Sequence, residues 1–349
     1  VSAETLATRW QALKAVTPDL RIRDAATQLG TSELELLTTT VGATARWLDG
    51  DLAALLHGLP GVGRCMALTR GESAVSEVKG RYGGVELGPH AGQVVGEHVD
   101  LRVFMSQWKF ALALDEPDPR HDTRRRSIQI FDGAGTAIHK VYLQDDGGDL
   151  AAWTALVDQR LAAAAPEVAL VPVASKPADR PDAEIDVERL RAAWDAMTDT
   201  HEFFFLLRKF NVSRTQALRL AGESRARRVT DDALAQVLGD SSETDLHIMI
   251  FVGNRGCLQV FSGTTKKVKR LGPWLNVMDP GFNLHLREDH IASSWVVNKP
   301  TASGVVRSLE LYDGAGETIA LVFRKRDDRD LAEDPDWSAL LGRLSEPRA

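Results

Sequence analysis

The run Asp199-Thr200-His201-Glu202-Phe203-Phe204-Phe205-Leu206-Leu207-Arg208 sets one imidazole ahead of three consecutive phenylalanines, with an arginine at the far end. Val212-Ser213-Arg214 follows, in a segment that runs on to Gly222. Neutral imidazole is a good ligand for transition metals. Guanidinium groups hold carboxylates through charge-assisted hydrogen bonds. A histidine beside aromatic surface, with arginines near, suits a flat apolar group that has a metal centre and acidic edges, and haem is such a group. The same residues also describe a histidine that merely packs or caps, and taken alone they leave both readings open.

Local signals say how these side chains are carried. Asp199 and Glu202 have capping-box spacing, so a helix is expected to start near His201. A 3.6-residue period puts His201, Phe205 and Arg208 on one face and Phe203, Leu207 and Phe210 on the other. Such a helix is apolar nearly all round and is expected to be sandwiched. Asn211-Val212-Ser213 reads as a turn, Ser213 as the next N-cap and Gly222 as the stop beyond that helix. Arg214 then falls in the first turn of the second helix.

The chain repeats itself. Arg126-Ser127-Ile128-Gln129-Ile130-Phe131-Asp132-Gly133-Ala134-Gly135 is echoed by Arg307-Ser308-Leu309-Glu310-Leu311-Tyr312-Asp313-Gly314-Ala315-Gly316. Each copy reads as a hairpin, an alternating strand followed by a glycine-containing turn. Helical openings at residues 5–40 and 187–222 also correspond. A period near 180 residues is the size of a domain and not of a solenoid unit. The proline-rich, aperiodic stretch from Pro172 reads as a linker. The expected organisation is an N-terminal repeat over 1–171, a linker over 172–184 and a C-terminal repeat over 185–349. Helices precede a long run of strands in each repeat, which indicates an α+β fold with a large antiparallel sheet per half.

Bulk properties narrow the function. The chain has 349 residues and a formal net charge of -7, which argues against a sequence-independent nucleic-acid binder. Two isolated cysteines, Cys65 and Cys257, exclude a disulfide framework or zinc ribbon and fit a reducing cytoplasm. No apolar run reaches the roughly 20 residues of a membrane-spanning helix, and the first residues lack the blocks of a signal peptide. The segments around Thr31-Ser32-Glu33-Leu34 and Val212-Ser213-Arg214 look like helix-turn-helix units, so a DNA-binding regulator is the alternative. The acidic Glu33-Leu34-Glu35 suits DNA poorly. No P-loop, GxSxG, HExxH or dinucleotide fingerprint is present.

Longer strings carry a family resemblance. Thr200-His201-Glu202-Phe203-Phe204 through Leu220-Ala221, Ala67-Leu68-Thr69-Arg70, Val99-Asp100-Leu101-Arg102-Val103-Phe104, Gly253-Asn254-Arg255-Gly256-Cys257 and Asn283-Leu284-His285-Leu286-Arg287 resemble the HemS/HmuS/ChuS/PhuS haem-utilisation proteins. The resemblance implies a cytoplasmic haem-binding protein that takes up imported haem for trafficking or degradation, with haem in a cleft between the two halves. It implies His201 as the axial ligand of the iron. Arg102 matches the arginine on the distal side, the position a catalytic role would need. Arg214, Lys299 and Arg326 match basic residues near the propionates. A haem-degrading activity would draw electrons from an external reductant. A haem oxygenase or an inner-membrane haem importer is the expected exchange partner, with no nucleic acid and no stable membrane insertion. Ser76 and Gln107-Trp108-Lys109 stand where relatives often carry histidines, so the resemblance does not extend to a second haem site. Arg102 lies opposite His285 and nothing in the N-terminal helices repeats His201, so one principal haem site is expected, built between the halves.

Overall fold

A computed structural model describes residues 3–118, 122–174, 176–325 and 334–347. The first stretch of chain forms helices α1 (Ala3–Val16), α2 (Ile22–Leu29) and α3 (Glu33–Thr38), then strand β1 (Ala45–Trp47) and helix α4 (Leu52–Gly58). Strands β2 (Gly63–Arg70), β3 (Ala74–Arg81), β4 (Gly84–Leu87), β5 (Gly92–Val95), β6 (Asp100–Val103), β7 (Phe110–Pro117), β8 (Arg124–Phe131) and β9 (Ala137–Gly148) follow, and α5 (Leu150–Gln159) ends the series.

The second stretch repeats this order. Helices α6 (Val187–Asp195), α7 (Glu202–Phe210) and α8 (Arg214–Ala221) lead to β10 (Ala226–Val229) and α9 (Ala233–Thr244). Strands β11 (Ile248–Gly253), β12 (Cys257–Gly263), β13 (Val268–Leu271), β14 (Trp274–Met278), β15 (Phe282–Arg287), β16 (Ser293–Thr301), β17 (Gly304–Tyr312) and β18 (Thr318–Arg324) precede α10 (Pro335–Arg343).

Two compact units result. One comprises Val1–Arg70, Glu77–Ala174 and Asn254–Gln259, and the other Gly71–Ser76, Ser175–Gly253 and Val260–Ala349. In the first, antiparallel pairing gives the order β1-β7-β8-β9-β2 and a separate meander β4-β5-β6. In the second the order is β10-β16-β17-β18-β11, with the meander β13-β14-β15. Helices thus stand apart from antiparallel sheets in each half, the α+β arrangement expected.

The hairpins explain why the repeat survived. Asp132 Oδ1 accepts from the backbone N–H of Ala134 and Thr136, each at 2.9 Å. Asp313 does the same for Ala315 at 2.9 Å and Glu317 at 2.8 Å. Gly135 and Gly316 turn the chain at φ 77° and 72°, a region that favours glycine. Register shifts at Ile130/Phe131 and Leu311/Tyr312 sit at the same point of each copy.

The helical openings dock on their sheets in parallel fashion. Leu34 and Leu37 pack with Leu112, Leu114 and Phe131 in the first unit. Trp194, Phe203, Leu206 and Leu218 pack with Trp295, Val297 and Tyr312 in the second. Burying one such aromatic side chain is worth about 2–3 kcal/mol, and Phe203 also meets Trp194 edge-on at 4.7 Å.

One expectation is corrected. Helix α7 is not sandwiched: Phe203 and Leu206 are buried, whereas Phe204 and Phe205 are 59% and 65% exposed. The inward stripe runs through 203, 206, 207 and 210, so the second and third phenylalanines of the run must point outward. The capping contacts also differ in detail. Glu202 accepts from the backbone and hydroxyl of Thr198, at 3.0 and 3.1 Å, instead of pairing with Asp199.

Candidate functional site

Asp199 is therefore left to act on His201. Its Oδ1 accepts from the His201 backbone N–H and meets His201 Nδ1, both at 2.7 Å. The backbone bond and then the imidazole hold the Asp199 carboxyl below its usual range. The His201 side chain is 91% exposed. With Nδ1 engaged by a carboxylate, Nε2 is the nitrogen left for a metal bond, and such an orienting partner is common behind ligating histidines. Phe204 and Phe205 touch edge-on at 5.6 Å on the same exposed side, and the Arg208 guanidinium lies 5.7 Å from the Phe204 ring. Two exposed phenylalanines beside an exposed histidine form an apolar platform of the kind that marks a ligand surface.

Beneath α7 lies a buried charge cluster. Ser213 caps α8 by accepting from Gln216 N–H at 3.1 Å, which fixes Arg214 as the first helical residue. Arg214 reaches β17, where Nη2 donates to both oxygens of Glu310 at 3.1 and 3.0 Å and Nε donates to Tyr312 Oη at 2.7 Å. Lys299 of β16 donates to Glu310 Oε1 at 2.5 Å, and Ser308 to the same oxygen at 2.9 Å. The Tyr312 hydroxyl donates to Glu310 Oε2. Burial alone would raise the Glu310 carboxyl, but Arg214 and Lys299 hold it far below the carboxylate range. Burial pushes the Lys299 ammonium down to about 8, with Arg214 adding to the effect and Glu310 opposing it. Both cations lie by Phe203, Arg214 Cζ at 5.1 Å and Lys299 Nζ at 4.8 Å from its ring centroid.

The structure thus brings Arg214 and Lys299 together on one carboxylate, against the inward side of the helix that His201 precedes. Arg102 sits on β6 in the first unit with its side chain 39% exposed, ion-paired to Asp100 and donating to the Leu101 carbonyl at 3.1 Å. Arg326 lies outside the described residues. Sequence reasoning passed over Glu310. The available signal was a carboxylate between the apolar Leu309 and Leu311, at a position where the first copy has Gln129.

The first-turn positions of both helix-turn-helix look-alikes are used inside the fold. Glu33 of α3 is buried and accepts from Lys140 Nζ at 2.9 Å, and Gln216 of α8 is buried against Asp182 and the Arg180 carbonyl. Such side chains cannot read bases. Among the described residues, no group of three or more His, Cys, Asp or Glu side chains could hold a metal ion. Nor is any described helix long and apolar enough to cross a membrane.

A second histidine is fully buried. Gln259 donates to the Ala67 carbonyl at 3.1 Å, which turns its Oε1 towards the Thr69 hydroxyl at 2.9 Å. With its proton so committed, Thr69 accepts from His139 Nδ1 at 2.9 Å, and Tyr82 donates to Nε2 at 2.7 Å. Burial pushes the imidazole down to about 3. His139 is a neutral, satisfied core residue.

The haemin-degrading HemS.ChuX domain matches residues 30–160 and 211–344. The hemin transport protein HemS of Yersinia enterocolitica is 41% identical over 333 residues, covering 95% of each chain. Holo-PhuS, a heme-binding protein from Pseudomonas aeruginosa, is 42% identical, with a TM-score of 0.95 over 99% of this chain and 100% of its own. ChuS, the heme degrading enzyme of Escherichia coli O157:H7, is 36% identical, with a TM-score of 0.88 over 99% and 100%. Matched along nearly its whole length and in both copies of its repeat, the chain belongs to the HemS family.

Proposed function

We propose that this chain is a haem-binding protein that takes up imported haem in the cytoplasm, for trafficking or for degradation that releases its iron. The observation that carries this reading is His201, exposed, oriented by Asp199 and set against the bare Phe204–Phe205 platform. Its relatives' names agree: a heme-binding protein, a hemin transport protein and a heme degrading enzyme.

His201 is proposed as the axial ligand of haem iron, with Phe204 and Phe205 offering apolar contact to the macrocycle. Arg214 and Lys299 supply positive charge for the propionates, and Arg326 is proposed as a further basic contact. Arg102 is proposed on the distal side. A guanidinium has no lone pair to give to a metal, so Arg102 contributes charge and hydrogen bonds and leaves a coordination position open. Bound haem supplies the redox chemistry, and degradation needs electrons from outside the chain. A haem importer as donor and a haem oxygenase as acceptor fit the carrier role.

Titration with ferric haem tests the reading. One saturable Soret transition per chain is expected, and featureless, non-saturating absorbance would overturn it.

A further inference from the structure

We propose that Glu310 is a positioning residue for ligand carboxylates: it holds Arg214 and Lys299 in a cluster with one surplus positive charge, so that seating a carboxylate on Arg214 is coupled to proton uptake by Lys299. The inference rests on the haem reading above, since haem is the source of the carboxylate.

Geometry supplies the first half. Glu310 is wholly buried and accepts from Arg214, Lys299, Ser308 and Tyr312, so its orientation is fixed from its own strand, from β16 and from α8. Two cations share this one anion. A buried surplus charge is costly unless an anion answers it. Lys299 is 3% exposed, whereas 27% of the Arg214 side chain is exposed, so an external carboxylate meets the cluster at Arg214.

The coupling follows from what surrounds Lys299. Its charged neighbours are Glu310 of β17 and Arg214 of α8, while α7 presents the uncharged Phe203 ring and Tyr312 binds the other Glu310 oxygen. Arg214 disfavours the Lys299 proton. A carboxylate on Arg214 offsets that repulsion and adds negative charge nearby, so the ammonium form gains. Lys299 starts from about 8, so a ligand bearing the carboxylate should draw in about half a proton near pH 8 and more towards pH 9. The first copy has no such arrangement: Gln129 stands at the Glu310 position, and its Oε1 lacks a partner.

The test is proton uptake on binding haem and haem dimethyl ester, read by calorimetry in buffers of different ionisation enthalpy from pH 6.5 to 9. Iron-linked titrations are common to both ligands and cancel in the difference. The wild-type chain should show excess uptake with haem, rising from near zero at pH 6.5 to more than half a proton by pH 9. Lys299→Met should abolish the excess. Lys299→Arg should abolish it while still favouring haem over the ester, because an arginine keeps its charge but does not titrate. Glu310→Gln should move the excess to lower pH, and the two lysine variants decide the matter if it does not fold. Equal uptake for haem and ester in the wild-type chain overturns the inference while leaving haem binding intact. Failure of both ligands to bind overturns the haem reading instead.

Discussion

Ser32 and Ser213 cap equivalent helices against equivalent hairpins, yet the residue after each cap carries the opposite charge. In the first unit Glu33 of α3 pairs with Lys140 of β9, beside Gln129 of β8. In the second, Arg214 of α8 pairs with Glu310 of β17, and Lys299 joins from β16. The backbone is shared down to the Asp-Gly-Ala-Gly turns, so the divergence concerns chemistry and not architecture. Glu33 and Lys140 bond directly at 2.9 Å, a structural pair that Arg70 and Arg23 flank with further positive charge. The second cluster has two cations for one carboxylate and lies under α7, whose outward face carries two exposed phenylalanines beside His201. One copy holds a pair that serves the fold, and the other holds the cluster proposed above to meet a ligand carboxylate.

That contrast can be broken by substitution. Glu310→Gln leaves two buried cations without their anion and should cost about 3–5 kcal/mol of stability, measured by urea unfolding at pH 7. A loss below about 1 kcal/mol would mean that the cluster is wetter than its burial indicates. His139 sharpens the comparison by pH, since the second copy has Ala320 at its position. Its imidazole lies near 3 in the folded chain, below the ordinary 6.5, so the unfolded chain binds the extra proton. Stability should therefore fall as pH drops below about 6.5, by up to about 1.4 kcal/mol per unit and about 3 kcal/mol by pH 4. His139→Gln should flatten that part of the profile, and an unchanged slope would contradict the assignment.

Smaller effects separate fold from function. Glu33→Gln should cost about 2–3 kcal/mol, because Lys140 keeps some access to solvent, and should leave haem affinity unchanged. Asp199→Asn should leave stability within about 0.5 kcal/mol and weaken haem binding roughly 10-fold, as loss of an orienting partner does. If Glu33→Gln lowered affinity as much as Asp199→Asn, the division of labour between the copies would be wrong.

The sequence made the duplication, the hairpins and the α7–α8 turn legible, because these rest on local chemistry: Asp-Gly turns, a serine cap, and Asn211 at positive φ. It placed His201 at a helix entry and Arg214 in a first turn for the same reason. The outward direction of Phe204 and Phe205 was missed, since hydrophobicity alone cannot say which side of an apolar helix lacks a neighbour. Glu310 was missed because its partners come from α8 and β16, 96 and 11 residues away. The His139 network escaped notice for a similar reason, as Thr69 and Gln259 are 190 residues apart.

The most direct measurement is the absorption spectrum and affinity of ferric haem bound to His201→Ala beside the wild-type chain. His201 is exposed, so the variant should fold with wild-type stability. Haem affinity should fall on the order of 100-fold, by the scale of metal-site losses, and the Soret and charge-transfer bands should move as the axial imidazole is lost. Unchanged bands and affinity in His201→Ala would show that the iron is held elsewhere.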